Sequence, residues 1–572
     1  LNAGRVVSPD GGVVDVAGTS IYIPDITIKE APAEISLHTQ STVTSALALL
    51  DLPPFEFITK AGLEVDFAHG QVATSGKIGL PLAEKIVFDQ VDFEIDGVVS
   101  DVTSDRLIAK KLLSVDRLRV HLNSKEIEIS GDATLGNTPV SGVWTQKFGP
   151  ENIGRSRVEG NIELSQRFLD EFKIVLPEGS VAGRGRATMT VDLVKDQPPA
   201  FSLVSDLNQM TLKLQALDWS KPKNVTGRLA VSGRMGSPPH IDNISIETKG
   251  LSANGSITLT SDGGLDLARF ERVSIGGWLD APIDIRTPGP GQTSYTLVGG
   301  SVDMRRNSFS HAGGGGADGS SRIKLRLDRL QLSSGIVLND LQGDINTAGG
   351  LNGSFTARVN GGARVVGSLA PLANGTGVRI TSQDAGAVMR SAGVFTTAFG
   401  GVMDMVLFPT LQTGEYDGNL TITATRVRDA PALAELLSLI SVVGLIEQLG
   451  GDGISFGAID ASFRLTPDAI RLKESSAVGA SMGITMTGDY EFGSDKINMT
   501  GVLSPIYALN GLLEQTKIFG GLFGKQTGEG LFGFNYTLKG TKSAPVVGIN
   551  PLSILTPGLF REIFRQPVPE KP

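Results

Sequence analysis

Apolar and polar residues alternate with a period of two along most of the chain, which puts apolar side chains on one face of each extended segment and polar ones on the other. Ile127 and Ile129 alternate with Glu126, Glu128 and Ser130; Ile323, Leu325 and Leu327 alternate with Lys324, Arg326 and Asp328. Further on, Ile459, Ala461, Phe463 and Leu465 alternate with Asp460, Ser462 and Arg464, and Ile484, Met486, Tyr490 and Phe492 with Thr485, Thr487, Asp489 and Glu491. Phe532, Phe534, Tyr536 and Leu538 follow the same rule. Each run reads as a strand with one dry and one wet face. Turn signals such as Ser261-Asp262-Gly263-Gly264 and Ala373-Asn374-Gly375-Thr376 separate the runs at intervals of roughly ten to twenty residues. The pattern predicts a mainly β chain built as a long antiparallel sheet of hairpins. Short Gly-led runs, Gly160-Asn161-Ile162 and Gly227-Arg228-Leu229 among them, recur without a fixed period. That suits stacked strands that each contact mostly their neighbours.

Helical readings are few and cluster in the last third. Asp429 before Ala430-Pro431 predicts an N-cap with proline in the first turn; Leu433, Leu436, Leu437 and Ile440 follow until Gly450-Gly451 ends the element. A second amphipathic segment is expected over 506–523, with Leu512, Leu513, Phe519 and Phe523 in its apolar content, and a third at Leu559, Phe560, Ile563 and Phe564. Such faces either plug the core of the sheet or meet a membrane surface or partner. The Gly/Ser-rich stretch 313–321 reads as a loop or linker. It divides an elongated β-sheet region, 1–312, from a region of strands and helices, 322–572.

Composition narrows the function more than the fold. Glycine, at 72 of 572 residues, and aromatics at only 6% favour turns joining aliphatic strands. Net charge is −9, and no basic run exceeds Arg305-Arg306 or Lys110-Lys111, so nucleic acid is not an expected partner. Cysteine is absent, which excludes disulfides and thiolate ligands and fits an oxidising compartment. The chain opens on Leu1, and residues 1–16 carry neither a basic nor an apolar leader segment, so a fragment or processed product is expected. The longest apolar stretch, 433–449, is broken by Glu435, Ser438, Ser441, Gly444 and Glu447, short of the ~20 apolar residues a bilayer span needs.

Little points to chemistry. The five histidines, His38, His69, His121, His240 and His311, are scattered singly without metal-ligand spacing. Gly479-Ala480-Ser481-Met482-Gly483 has the G-x-S-x-G form, but a strand follows Ser481 where a nucleophile elbow needs a helix. The stretch 520–527 departs from a phosphate loop, with Phe519 five positions before Gly524 and Gln526 ahead of Thr527. Carboxylates crowd the polar strand faces, and none is singled out as a catalytic pair. A non-enzymatic protein without cofactor or metal is expected.

The last third, about 384–566, resembles the C-terminal region of AsmA-like proteins, the large YhdP-type members in particular. The resemblance rests on Gly414-Glu415-Tyr416-Asp417-Gly418, Arg428-Asp429-Ala430-Pro431-Ala432-Leu433-Ala434 and Gly528-Glu529-Gly530-Leu531-Phe532-Gly533-Phe534. Tyr536-Thr537-Leu538-Lys539-Gly540-Thr541, Pro545-Val546-Val547-Gly548-Ile549-Asn550-Pro551-Leu552-Ser553 and Thr556-Pro557-Gly558-Leu559-Phe560-Arg561-Glu562-Ile563-Phe564 complete the set. It implies a curled, half-open sheet, a β-taco or solenoid-like trough with an apolar groove. It also implies movement of glycerophospholipids across the periplasm between inner and outer membrane. An N-terminal inner-membrane anchor, typical of the family, is absent from this chain, and no catalytic residue carries over.

Physical chemistry suits that role. A methylene exposed to water costs ~0.8 kcal/mol, so a sixteen-carbon acyl chain faces about 12 kcal/mol in crossing an aqueous gap alone. An apolar trough removes most of it. Roughly twenty-five to thirty strands at ~4.8 Å would extend about 120 to 145 Å. Ile459, Phe463, Ile484, Met486, Phe532 and Phe534 are the expected groove lining, with phospholipid acyl chains as occupants. The alternative is a non-catalytic scaffold that assists outer-membrane protein assembly or envelope integrity through membrane or envelope-protein contacts; it predicts a filled inner face. A polysaccharide-active solenoid ranks last, because Trp144, Trp219 and Trp278 do not group.

Overall fold

The computed structural model describes residues 3–550 except 54–55, 85, 87–89, 109–110, 215–216, 237, 262–263, 290–291, 307–320, 413, 506–532 and 542–543. The chain is mainly β, as the alternation predicts, and forms two compact units, Leu1–Phe270 and Glu271–Pro572. Residues 313–320 of the Gly/Ser-rich stretch lie outside the described residues.

In the first unit, long strands follow one another as an antiparallel meander. Pro32–Thr42 pairs with His69–Pro81, and the ladder continues through Asp92–Ile108, Lys111–Asn123, Glu126–Leu135, Thr138–Lys147 and Arg155–Leu164. It then runs through Gly185–Val194, Ala200–Ser205, Gly227–Arg234, His240–Thr248 and Leu251–Leu259. A separate sheet of Val181–Gly183, Met210–Leu214 and Trp219–Lys221 interrupts this order. With Leu207, Met210 and Val181 it closes over Ile162, Leu164, Ala187 and Leu203 of the main ladder, burying one cluster. Lys221 locks this small sheet: its ammonium is buried and donates to the carbonyls of Leu207 and Met210, both at 2.7 Å. Burial pushes its pKa down, and the carbonyls replace the water that a buried cation loses.

In the second unit, the meander runs from Ser321–Gln331 through Val337–Asn346, Asn352–Val359, Arg364–Leu372, Gly375–Ser382, Val402–Pro409 and Tyr416–Val427. Ile454–Leu465, Ala469–Gly479, Met482–Glu491, Lys496–Pro505, Phe534–Thr541 and Ala544–Ile549 complete it. The sheet is mixed rather than purely antiparallel. Gln292–Val298 and Ser301–Asp303 lie parallel to Ser321–Gln331, and a parallel neighbour requires the chain to return to the end it started from. The hairpin alternation read from sequence carries no signal of such a return.

The polar faces are stitched by ion pairs between strands. Arg157 faces Asp192 directly across the ladder at 2.7 Å, and Arg464 faces Asp417 at 3.1 Å with Lys473 adding a second cation at 2.6 Å. Opposite charges on neighbouring strands support the register.

Candidate apolar face

Register, rather than any local motif, assembles the site. In the first unit one row of directly opposed residues runs Thr74, Gly97, Val120, Ile129, Trp144, Val158, Val191, Phe201, Gly233, Ile241 and Ile257. It crosses eleven strands and ten interstrand steps, a path of about 48 Å measured along the sheet. Every position after Thr74 is apolar or glycine because the period of two brings each strand's dry face to the same side. Among the described residues of this unit, the buried clusters under the small sheet and around Val102 and Val115 take in members of the neighbouring rows and none of this one, in which Val191 is itself buried. Val120, Ile129, Trp144, Val158, Phe201, Ile241 and Ile257 are half-buried.

The next row runs Val72, Val99, Leu118, Gly131, Gly142, Gly160, Met189 and Leu203. Three consecutive strands therefore place glycine at the same level. A Cβ at Gly160 would stand 2.0 Å from the carbonyl oxygen of Ser141, and one at Gly142 2.7 Å from that of Glu159. No side chain fits there, and the backbones approach closely.

Five of the six predicted lining residues are described; they lie in the second unit, on one face of its sheet. Ile459 pairs across to Ala477, which pairs to Ile484, then Leu503 and Phe534; Met486 pairs to Gly501 and then Tyr536. Phe463 is buried with its ring on Gly418 of the adjoining strand. Phe532 lies outside the described residues. Much of this face is covered. Helices Pro431–Leu439 and Val443–Gly450 lay Leu436, Leu437 and Leu449 onto Ile454, Phe456, Met482, Leu503, Tyr536 and Val547, with Leu433, Ile440, Ile459, Ile484 and Met486 packed around them. Leu437 and Ile454 are fully buried. The apolar stripe of the first helix is thus turned into the sheet.

Helix limits differ from the sequence expectation. The N-cap is Ala430 without a side-chain cap bond, because Asp429 takes a left-handed φ of 46° and directs its amide to the Leu449 carbonyl. The predicted single helix to Gly450 divides at Ser441, whose φ is 60°, a conformation incompatible with continuing the turn. Leu512, Leu513, Phe519, Phe523, Leu559, Phe560, Ile563 and Phe564 lie outside the described residues.

Aromatic rings paving glycines recur in this unit. Phe355 lies against Gly367, and the Tyr536 hydroxyl crosses Gly501 to donate to the Thr485 carbonyl at 2.9 Å. Burial pushes the Tyr536 phenol above its ordinary pKa.

Ser481 sits in the turn between Ala469–Gly479 and Met482–Glu491 and donates to Gln448 Oε1 at 3.1 Å. That is a hairpin and not a strand-to-helix elbow. Among the described residues no His, Cys, Asp and Glu group could hold a metal, and no helix is long and apolar enough to cross a membrane. Comparisons with protein-family models, curated proteins and solved structures found no match.

What the sequence reading missed is the first unit's row. Its signal was present as alternation in each strand, but only the pairing register aligns Val120, Ile129, Trp144 and Val158 into one surface.

Proposed function

We propose that the chain binds glycerophospholipid acyl chains along the apolar face of its first unit and serves their transfer across the periplasm, the role that its AsmA-like resemblance implies. The observation that carries this reading is the in-register row from Gly97 to Ile257, apolar or glycine across successive strands, in which seven side chains from Val120 to Ile257 are half-buried while Gly97, Val191 and Gly233 are buried. An apolar surface of that length lowers the ~0.8 kcal/mol cost of each exposed methylene, while headgroups stay at the polar rim. The site asks for no cofactor and no catalytic group.

Tryptophan fluorescence tests it. Trp144 lies on the row, whereas Trp219 and Trp278 are buried. Phospholipid brominated in its acyl chains should quench the parent, and Trp144→Phe should abolish the quenching. Equal quenching of parent and variant would move the lipid elsewhere. Organic extraction of the gently purified protein, followed by mass spectrometry, should recover phospholipid.

A second reading, a scaffold that assists outer-membrane assembly or envelope integrity, is favoured by the helical pair over the second unit's sheet. A filled inner face supports a rigid platform and leaves Leu436 and Leu437 unavailable to a membrane unless the pair lifts.

A further inference from the structure

The segment 390–402 carries a cluster that the apolar face does not explain. Val394, Phe395, Phe399 and Val402 are exposed at 39–44 %. The Phe399 ring has the Arg390 guanidinium at 4.7 Å and that of Arg428 at 5.9 Å from its centroid. Arg426 stands opposite Phe399 across the ladder. Many arginines of this unit, Arg322, Arg379 and Arg464 among them, are neutralised by aspartates on the strand beside them. Arg390, Arg426 and Arg428 make no ion pair among the described residues. Arg390 donates to the Ala398 carbonyl, Arg426 to Ser455 Oγ at 3.3 Å and Arg428 to the Asp452 carbonyl at 3.1 Å.

The aromatic tip is held rigidly. The first amides of helix Ala385–Ser391 donate to it, Ala385 to the Gly401 carbonyl at 2.7 Å and Gly386 to that of Gly400 at 2.9 Å. Thr425 Oγ1 donates to the Phe399 carbonyl at 3.2 Å, and the Arg428 amide to that of Thr397 at 3.0 Å. Gly400 and Gly401, with φ of 68° and 89°, make the left-handed turn that projects the ring. Gly386 lets the helix come this close, since a Cβ there would stand 2.6 Å from the Ala398 oxygen.

We propose that this tip, Phe395 and Phe399 with Arg390, Arg426 and Arg428, docks the protein onto an anionic phospholipid surface. Aromatic rings settle at the headgroup level of a bilayer, and unpaired guanidiniums beside them engage lipid phosphates in forked hydrogen bonds. The chain as a whole is acidic at −9, so a local group of arginines free of carboxylate partners gives it a defined face for a surface of its own sign of charge. This docking does not depend on the acyl-chain reading of the first unit, and either can fail alone.

Co-sedimentation of the full chain with vesicles tests it. Vesicles of equal parts phosphatidylglycerol and phosphatidylcholine should bind the parent, and pure phosphatidylcholine should bind it far less. Arg390→Gln with Arg428→Gln should lower partition about tenfold or more, and Phe395→Ser with Phe399→Ser about tenfold. Phe395→Ser alone alters an exposed ring and, with an unchanged urea midpoint, separates docking from folding. Parent binding that is absent, equal on both vesicles, or unaltered in the folded variants would overturn the proposal. Loss of binding to a soluble acidic protein, with vesicle binding intact, would likewise overturn it.

Discussion

In the second unit aromatic rings lie on glycines of the neighbouring strand, Phe355 on Gly367 and Phe463 on Gly418, and two helices close over the sheet beyond them. In the first unit Gly142 and Gly160 meet only backbone, and the adjoining row from Val120 to Val158 stays half-buried. The same alternation thus yields a sealed core in one place and an apolar surface in the other. Side chains contribute stability where the face is covered and stay partly in water where it is not.

The largest effect expected from breaking this contrast is at the helical cap. Leu437→Ala should cost about 2–5 kcal/mol, because a fully buried leucine leaves a cavity, whereas Val120→Ala on the open row should cost about 1 kcal/mol. Urea unfolding of the two variants measures the gap, and equal costs would mean that the first unit's row is packed as tightly as the second's. Gly160→Ala comes next, at about 1–3 kcal/mol, since the new methyl collides with main chain that cannot rotate away. Gly418→Ala should cost less, because its neighbour is the edge of the Phe463 ring. Reversal of that order in thermal melts would contradict the paving account.

Smaller effects come from titration. Hydrogen bonds from Arg464 and Lys473 hold the Asp417 carboxyl down to about 2. Its folded pKa lies below the unfolded value of 3.8, so the stabilisation is present above about pH 4 and fades as pH falls towards 2. The pair is substantially exposed, which limits the effect to about 1 kcal/mol or less. Asp417→Asn should flatten this part of the acid limb of the stability curve. Smallest is the Tyr490 phenol, pushed up to about 12 by burial and its hydrogen bond to Asp495. The contribution persists below the unfolded value of 10 and is lost as pH rises through 12. Ultraviolet titration should show late phenol ionisation, and Tyr490→Phe should remove one late step.

Alternation made the strands legible, down to the facing of Ile459, Phe463 and Ile484, because a period of two is a property of consecutive residues. Pairing is not. Gly131, Gly142 and Gly160 each resemble an isolated weak point in a strand, and only the register shows that they stand side by side. The parallel return at Ser321–Gln331 and the insertion of Met210–Leu214 into a second sheet are decided by long-range contacts that leave no local pattern. The displacement of the helix cap from Asp429 to Ala430 followed from tertiary demand for the Asp429 amide.

The meander within each unit also shapes how the molecule comes to be folded. Most long strands pair first with the one that emerged just before, so the loops to be closed are short and their entropic cost grows slowly with size. A chain delivered from its N-terminal end can lengthen its sheet one hairpin at a time. At each stage the newest edge is open, ready for the next strand and equally for a stranger. Assembly of so long a ladder therefore becomes a contest between the pace of delivery and the lifetime of one exposed edge.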